Sequence, residues 1–164
     1  MPTTKTLKAV TLSEAFAKIT SFCAYQERTQ QEVRSKLYEY GIKTDEVEGI
    51  IVKLIEENYI NEERFAKSYA GGKFRIKKWG RIKIVKSLEI KGLTPYCIKS
   101  GLKEIDEDDY RATMQSIIAK KASEVVFKNE YQKLHKIATY LISRGYEGEL
   151  VWSILKGEFL GARF

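Results

Sequence analysis

Several residue types on which enzymes and secreted scaffolds depend are scarce in this 164-residue sequence. Its two cysteines, Cys23 and Cys97, are too few for a disulfide framework. Its one histidine, His135, excludes a multi-histidine zinc site. Two prolines and eleven scattered glycines exclude collagen-like and low-complexity structure. No run of about 18 apolar residues is present, which excludes a helical membrane span in this sequence.

Motifs that would carry chemistry are missing as well. Gly71-Gly72 lacks the lysine and hydroxyl residue of a phosphate-binding loop. An acidic cluster lacks the ligand alternation and central glycine of a calcium loop, so we interpret it as a solvated connection that ends in a helix cap: Glu104, Asp106, Glu107, Asp108 and Asp109. We therefore predict no enzymatic activity, no cofactor and no metal. Residues 1–11 do not resemble a signal peptide, and we expect a cytoplasmic protein.

The basic residues are concentrated in one stretch. The sequence carries 29 Lys and Arg against 22 Asp and Glu, with a pI near 9.3. Residues 71–100 contain nine of these cations and one acid, Glu89, which leaves 20 basic and 21 acidic groups in the rest of the chain. Such a local excess favours an anionic partner, most often nucleic acid or an acidic protein surface.

Apolar residues recur with helical spacing along almost the whole chain. Examples are Phe16, Ile19 and Cys23, and later Val47, Ile51 and Leu54, which recur every three or four residues. No segment shows the sustained alternation of a strand bounded by hairpin turns. The pattern predicts an all-α protein.

Three glycines mark an internal repeat. Gly41, Gly92 and Gly145 are each preceded four residues earlier by leucine and followed directly by an apolar residue. Apolar residues recur again six and ten residues after each glycine, and the intervals between the glycines are 51 and 53 residues. We predict three tandem three-helix repeats in an elongated, possibly curved arrangement. The expected boundaries are a tail over 1–11, then repeats over 12–60, 61–107 and 108–161.

The first two repeats contain a set of residues typical of a known family: Arg28-Thr29, Glu32-Val33, Leu37, Gly41, Leu54, 59–66, Arg75, 79–82, Leu88 and 91–93. At these positions the sequence resembles the RecX family of bacterial recombinase regulators. The resemblance covers residues 20–107 well and the third repeat only in pattern. The family usually has Asp at the position of Glu62 and a leucine near Trp79, so the sequence departs from it there.

The resemblance implies a protein that binds the RecA filament in its helical groove. A protein in that groove would hinder filament growth and inhibit RecA ATPase, strand exchange and co-protease activity. The expected partners are the RecA filament and, non-specifically, single- and double-stranded DNA, and the expected state is a monomer. The alternative is a non-specific nucleic-acid-binding helical protein unrelated to recombination. A helix-turn-helix reader of the major groove is disfavoured, because the second helices are not basic.

Two sets of residues are candidates for contact. The first, the basic module, is predicted to touch DNA phosphates or an acidic RecA surface, although a solubilising surface would have the same composition: Lys73, Arg75, Lys77, Lys78, Trp79, Arg81, Lys83 and Lys86. The second is the family motif, whose physics is mainly that of a helix start: Asn61, Glu62, Glu63, Arg64, Phe65 and Ala66.

Overall fold

A computed structural model describes residues 10–124 and 126–157. Residues 1–9 of the predicted tail and 158–161 of the predicted third repeat lie outside these ranges. The described residues form α-helices joined by short turns, without strands, which confirms the all-α prediction. The helices are α1 Leu12–Tyr25, α2 Gln30–Glu39, α3 Thr44–Glu56, α4 Glu62–Lys77, α5 Arg81–Ile90, α6 Pro95–Leu102, α7 Glu107–Glu124, α8 Glu130–Ser143 and α9 Gly148–Leu155.

The chain divides into two compact units. The first unit ends at Phe65 and contains α1, α2, α3 and the first turn of α4. The second unit begins at Ala66 and contains the rest of α4 together with α5 to α9. Each unit is described separately below.

The three glycine turns have one geometry. Gly41, Gly92 and Gly145 have φ angles of 81°, 82° and 97°, which a residue with a side chain rarely adopts. In each turn the residue after glycine donates its backbone N–H to the carbonyl of the leucine five residues earlier, at 3.1 to 3.2 Å. This is the bonding of a helix that ends in a left-handed cap, so the predicted role of the three glycines is confirmed.

Helix starts also follow the sequence. Thr29 and Glu32 form the complete capping box that their spacing predicts, because each side chain accepts the other residue's backbone N–H. Thr94 caps α6 ahead of Pro95 at the first helical position. Asp106 accepts the backbone N–H of Asp109, so the acidic cluster does end in a helix cap.

The first unit has its own apolar core. Fully buried residues from each of its three complete helices form it, among them Ile19, Leu37 and Leu54. The predicted apolar spacing therefore faces inward. Cys23 belongs to this core, and burial raises the pKa of its thiol, as expected for a small packing residue and not for a reactive group.

The second unit is built around aromatic rings as well as aliphatic side chains. Three buried aromatic rings, those of Phe74, Tyr110 and Tyr146, pack one against the next. Their planes are tilted, and the centroids of the two neighbouring pairs are 5.7 Å and 5.1 Å apart. Gly101 of α6 packs against the backbone of α4, since a Cβ atom there would lie 2.7 Å from the Ala66 carbonyl oxygen. This contact requires glycine inside a helix, away from any turn.

Candidate interaction surfaces of the second unit

The basic module does not form a single surface. The helix break predicted at Trp79-Gly80 is present: α4 ends at Lys77 and α5 begins at Arg81. Lys78 ends α4 in the left-handed conformation, with φ 57°, although it has a side chain. The break distributes most cations of the module over two faces and one partly buried position, that of Arg81.

The first face is a lysine–aromatic platform made of Tyr69, Lys73, Trp79, Lys83 and Lys91. The ammonium groups of Lys73 and Lys83 lie 4.9 Å and 4.5 Å from the centre of the half-buried Trp79 ring. Tyr69 meets the same ring edge-on at 6.5 Å and is approached by Lys73 and Lys91 at 5.3 Å and 5.5 Å. Lysines beside aromatic faces are the combination that binds single-stranded nucleic acid through phosphate contacts and stacking.

The second face is a basic groove between the end of α4, α7 and the end of α8. The groove has a volume of about 610 Å³ and is partly open to solvent. Five cations and two carboxylates surround a floor of apolar and aromatic side chains. The lining residues are Phe74, Arg75, Lys78, Asp109, Ala112, Thr113, Ser116, Ile117, Lys120, Lys121, Glu124, Tyr140 and Arg144.

Three cations of the groove are held by neighbours. The Lys121 ammonium lies 4.0 Å from the centre of the Tyr140 ring. Arg144 donates to the backbone carbonyl of Lys77, and Lys120 pairs with Glu124 at 3.9 Å. Sequence analysis missed these residues, because they lie far along the chain from the basic stretch. The sequence signals for these residues are weak: two adjacent lysines at 120 and 121, and an arginine directly before Gly145.

Arg81 occupies the partly buried position, among the carboxylates of its own unit. Its guanidinium donates to Glu107 at 2.8 Å and to Glu147 at 2.9 Å, and lies 4.0 Å from the centre of the Tyr110 ring. The Arg81 backbone N–H donates to the Tyr110 hydroxyl, which in turn donates to Glu147 at 2.6 Å. With 26% of its side chain exposed, Arg81 is largely committed to this network.

The pKa values in this network reflect partial burial. Burial by itself would lower the pKa of Arg81, but the hydrogen bonds to Glu107 and Glu147 outweigh it and the pKa is raised. Burial raises the pKa of Tyr110, and its bond to Glu147 raises it further. Burial also raises the pKa of Tyr146 to about 12. Both hydroxyls therefore stay protonated at neutral pH, and they donate to Glu147 and to the Lys78 carbonyl, respectively.

The turn at Gly80 docks directly against the turn at Gly145. Gly80 donates its N–H to the Arg144 carbonyl, and Ile82 donates to the Gly145 carbonyl, each at 2.9 Å. A Cβ atom on Gly80 would lie 2.2 Å from the Gly145 carbonyl carbon. The Tyr146 hydroxyl donates to the Lys78 carbonyl at 2.8 Å and completes the contact. These interlocked turns fix the walls of the groove relative to one another.

The last two members of the basic module, Lys77 and Lys86, have exposed side chains. The backbone carbonyl of Lys77 accepts a hydrogen bond from Arg144, but the Lys77 side chain belongs to neither the platform nor the groove. The structure thus assigns Lys73, Trp79 and Lys83 to the platform and Arg75 and Lys78 to the groove.

The family motif forms the start of α4. The Asn61 side chain accepts the backbone N–H of Arg64 at 2.9 Å, and Glu62 and Glu63 lie in the first turn. Arg64 donates to Glu27 at 2.6 Å, and also to the Asn58 carbonyl. Phe65 and Ala66 are buried. Burial raises the pKa of the half-buried Glu62, the position at which the sequence departs from the family.

A cation–aromatic cluster in the first unit was also not predicted. The Arg28 guanidinium lies 3.7 Å from the centre of the Phe22 ring, and the Lys36 ammonium lies 5.7 Å from it. Lys36 is also 5.8 Å from the Tyr40 ring, which Lys18 approaches at 5.6 Å. Lys36 pairs with Glu39 at 3.0 Å, so part of this charge is neutralised within the unit.

Two further searches cover only the described residues. Residues 10–124 and 126–157 contain no group of three or more His, Cys, Asp or Glu side chains placed to hold a metal ion. Within the same ranges, every helix is too short or too polar to cross a membrane.

Two ranges of the chain match models of a known family. Residues 15–54 match the model of the first three-helix domain of RecX, and residues 61–102 match the model of the second. The matched ranges coincide with most of the first and second predicted repeats.

Several curated relatives carry the name "Regulatory protein RecX". One from Clostridium perfringens is 31% identical over 131 residues, covering 79% of this chain and 61% of its own length. Another from Lactobacillus johnsonii is 31% identical over 151 residues, covering 90% of this chain and 55% of its own. The chain thus spans about three fifths of the length of the curated relatives it matches.

Solved structures show the same fold. The crystal structure of RecX from Lactobacillus salivarius has a TM-score of 0.82 and 24% identity, covering 88% of this chain and 94% of that one. A second crystal structure of regulatory protein RecX has a TM-score of 0.78 and 21% identity, covering 88% of this chain and 72% of that one.

Proposed function

The chain belongs to the RecX family of regulatory proteins, and from this premise we propose that it binds RecA–DNA filaments and inhibits RecA. The proposed sites of inhibition are RecA ATPase, strand exchange and co-protease activity. The observation that carries the proposal is the match to the first and second three-helix domains of RecX. The relatives are named as regulatory proteins, which supports regulation over catalysis. A non-enzymatic, cytoplasmic monomer is proposed with it.

The mechanism we propose is steric and uses binding energy alone. A chain of helical repeats that occupies the filament groove would block strand access and the addition of further recombinase subunits. DNA affinity would come from phosphate contacts, which release counterions and weaken as salt rises. We assign the DNA contact to the lysine–aromatic platform together with the exposed Lys77 and Lys86. Arg81 is left out of this contact, because its guanidinium is committed to Glu107 and Glu147.

The platform supports this assignment through its composition. Lys73 and Lys83 flank the Trp79 ring closely enough for a stacked base to bring its phosphates within their reach. The ring is half-buried, so stacking would use its exposed part while its buried part stays in the fold. Contact is thus expected to be independent of base sequence, since every base presents a flat face.

RecA ATPase on single-stranded DNA tests the main proposal. Titration of the protein at moderate salt should inhibit the ATPase well below one molecule per RecA subunit, because one bound molecule stops growth of a whole filament. An unchanged ATPase rate, together with salt-sensitive binding to bare DNA, would contradict it. That outcome supports the second candidate function, a non-specific nucleic-acid-binding protein, which the concentrated basic module favours.

Salt dependence of binding tests the platform. In the variant Lys73→Gln/Lys83→Gln, the slope of log affinity for a short single-stranded oligonucleotide against log salt should fall by about 1.4, or about 0.7 for each lost phosphate contact. The matched control is Lys99→Gln/Lys103→Gln, two exposed lysines of the same unit. Equal slopes for the two variants would remove the platform from the proposal.

A further inference from the structure

The basic groove has features that nucleic-acid contact does not use. We propose that it binds an acidic, partly apolar segment of a protein partner, and that DNA is bound elsewhere on the unit. The inference deepens the proposed function and rests on it, since it names the surface through which the chain meets a protein. The groove lies entirely within the second unit.

The floor of the groove suits a side chain better than a phosphate. Phe74 is 4% exposed at the base, and the half-buried Ile117 and Tyr140 line the walls beside it. A volume of about 610 Å³ accommodates several side chains of a bound segment. A sugar–phosphate backbone has only the small C–H groups of its sugars to fill such a floor, whereas a leucine or phenylalanine would release more water from it.

The charges at the rim are mixed, and their arrangement suits a peptide. Five cations at the rim attract carboxylates. Asp109 and Glu124 also line the groove. They would repel a nucleic acid, because its backbone carries a negative charge at every nucleotide. A peptide avoids this conflict, because its carboxylates are spaced and its backbone N–H groups can donate to Asp109 or Glu124. The sugar–phosphate backbone of DNA offers only acceptors there.

The groove is also preorganised. Tyr140 holds Lys121, the Lys77 carbonyl holds Arg144, and the interlocked Gly80 and Gly145 turns hold the walls. A partner segment would therefore lose little affinity to ordering of the protein side. The five cations come from α4, its C-terminal turn, α7 and the C-cap of α8, so the site exists only when the second and third predicted repeats are docked.

The sharpest test fills the groove without changing its charge. Ala112 is exposed and lines the groove, so Ala112→Trp should block it, while Gln115→Trp places the same ring on an exposed position of α7 outside the lining. We expect Ala112→Trp to weaken binding to preassembled RecA–DNA filaments by about tenfold or more, as for a blocked central contact. Binding to a short single-stranded oligonucleotide should stay within about twofold, and Gln115→Trp should change neither affinity.

Charge reversal provides the second variant. Lys120→Glu/Lys121→Glu and the control Lys99→Glu/Lys103→Glu change the net charge equally. Both should weaken bare DNA binding alike, but only the groove variant should lose a further tenfold or so on filaments. If Ala112→Trp weakens bare DNA binding as much as filament binding, nucleic acid occupies the groove. If it leaves filament binding unchanged, or instead dissociates a dimer in sedimentation, the proposal is overturned.

A probe that does not involve RecA separates this inference from the proposed function. If the wild-type chain does not bind filaments, the proposed function is wrong. Whether the groove binds an acidic segment can still be tested by mapping amide chemical shifts on addition of a short synthetic peptide of Glu and Leu. We expect the shifts to concentrate on α7 and α8 around Lys121 and Tyr140, and to disappear in Ala112→Trp. A Lys-and-Leu peptide should produce none. Shifts spread equally over Lys99 and Lys103 would show charge attraction alone and overturn the site.

Discussion

The same glycine turn is solvent-facing at Gly41 in the first unit and packed at Gly145 in the second. Gly41 and Gly145 both have positive φ angles and the same cap hydrogen bonds. A Cβ atom on Gly41 would have no atom within 4 Å, whereas one on Gly145 would lie 2.4 Å from the Lys83 Cβ. The comparison shows that a repeat conserves the conformation of its turn while neighbouring elements decide whether the turn is also a contact.

The ion pairs of Arg34 in the first unit and Arg81 in the second differ in the same way. Arg34 and Glu48 pair at 2.7 Å on the surface of the first unit, with 34% and 51% of their side chains exposed. Arg81 of the second unit joins two carboxylates and a buried tyrosine. The pair in the first unit connects two consecutive helices, while the network in the second connects segments up to 66 residues apart. Its contribution is therefore to tertiary structure.

Alanine at the glycine turns should produce the largest difference. Gly145→Ala combines left-handed strain with overlap against Lys83, so we expect it to lower the free energy of unfolding by roughly 3 kcal/mol. Gly41→Ala carries the strain without the overlap and should cost about 1 kcal/mol. Denaturant unfolding of each variant measures both values. Equal losses at the two positions would break the comparison.

Removing the partly buried cation should have the next largest effect. Arg81→Met leaves Glu107 and Glu147 without the guanidinium and removes the cation beside the Tyr110 ring, with an expected loss of about 2 kcal/mol. This is less than for a fully buried pair, because 26% of the side chain reaches water. Arg34→Met is the control in the first unit and should have a clearly smaller effect, since solvent screens that pair. Thermal unfolding of the two variants side by side measures the difference.

Alkaline pH should weaken the second unit through Tyr146. Its pKa is raised to about 12 in the fold from an ordinary value of 10.0, so the folded state holds the proton longer. The resulting stability is fully present below pH 10 and is lost as pH rises towards 12, at up to about 1.4 kcal/mol per pH unit. Tyr146→Phe should flatten this part of the curve of unfolding free energy against pH. Parallel curves for the variant and the wild type would contradict the assignment.

The two left-handed residues that are not glycine should produce the smallest effects. Lys78→Gly relieves strain in the second unit and should raise the free energy of unfolding by roughly 0.5 kcal/mol, because the added freedom of glycine in the unfolded chain offsets part of the gain. It also removes a groove cation, so filament affinity should fall as stability rises. Asn58→Gly, in the first unit, should change stability less, since asparagine tolerates this conformation. Loss of stability in Lys78→Gly would show that its side chain supports the fold.

Local features of the fold followed from the sequence because their causes are local. The capping box at Thr29, the proline start of α6 and the three glycine caps depend on residues within about five positions of one another. The break at Trp79-Gly80 belongs to the same class. The role of Gly101 could not be predicted, because its cause is a helix backbone that lies 35 residues away along the chain at Ala66.

Prediction of the candidate site was less complete, for a related reason. Charge density located Lys73, Lys78 and their neighbours, but density along the chain does not specify which face each cation occupies. Arg81 was grouped with them by charge alone, and its carboxylate partners are distant in sequence. Lys120, Lys121 and Arg144 were left out because the groove combines elements separated by tens of residues.

The sequence by itself determined the helices, their caps, the repeated glycine turn and the family. Each of these depends on the preferences of a few neighbouring residues or on a pattern of residue types that survives in relatives. Only the tertiary structure decided that Gly80 meets Gly145, that Arg81 is partly buried, and that most of the remaining cations divide between a platform and a groove. Those outcomes depend on how helices distant in sequence dock against one another. Steric fit between their side chains and turns selects one arrangement, and composition alone does not specify it.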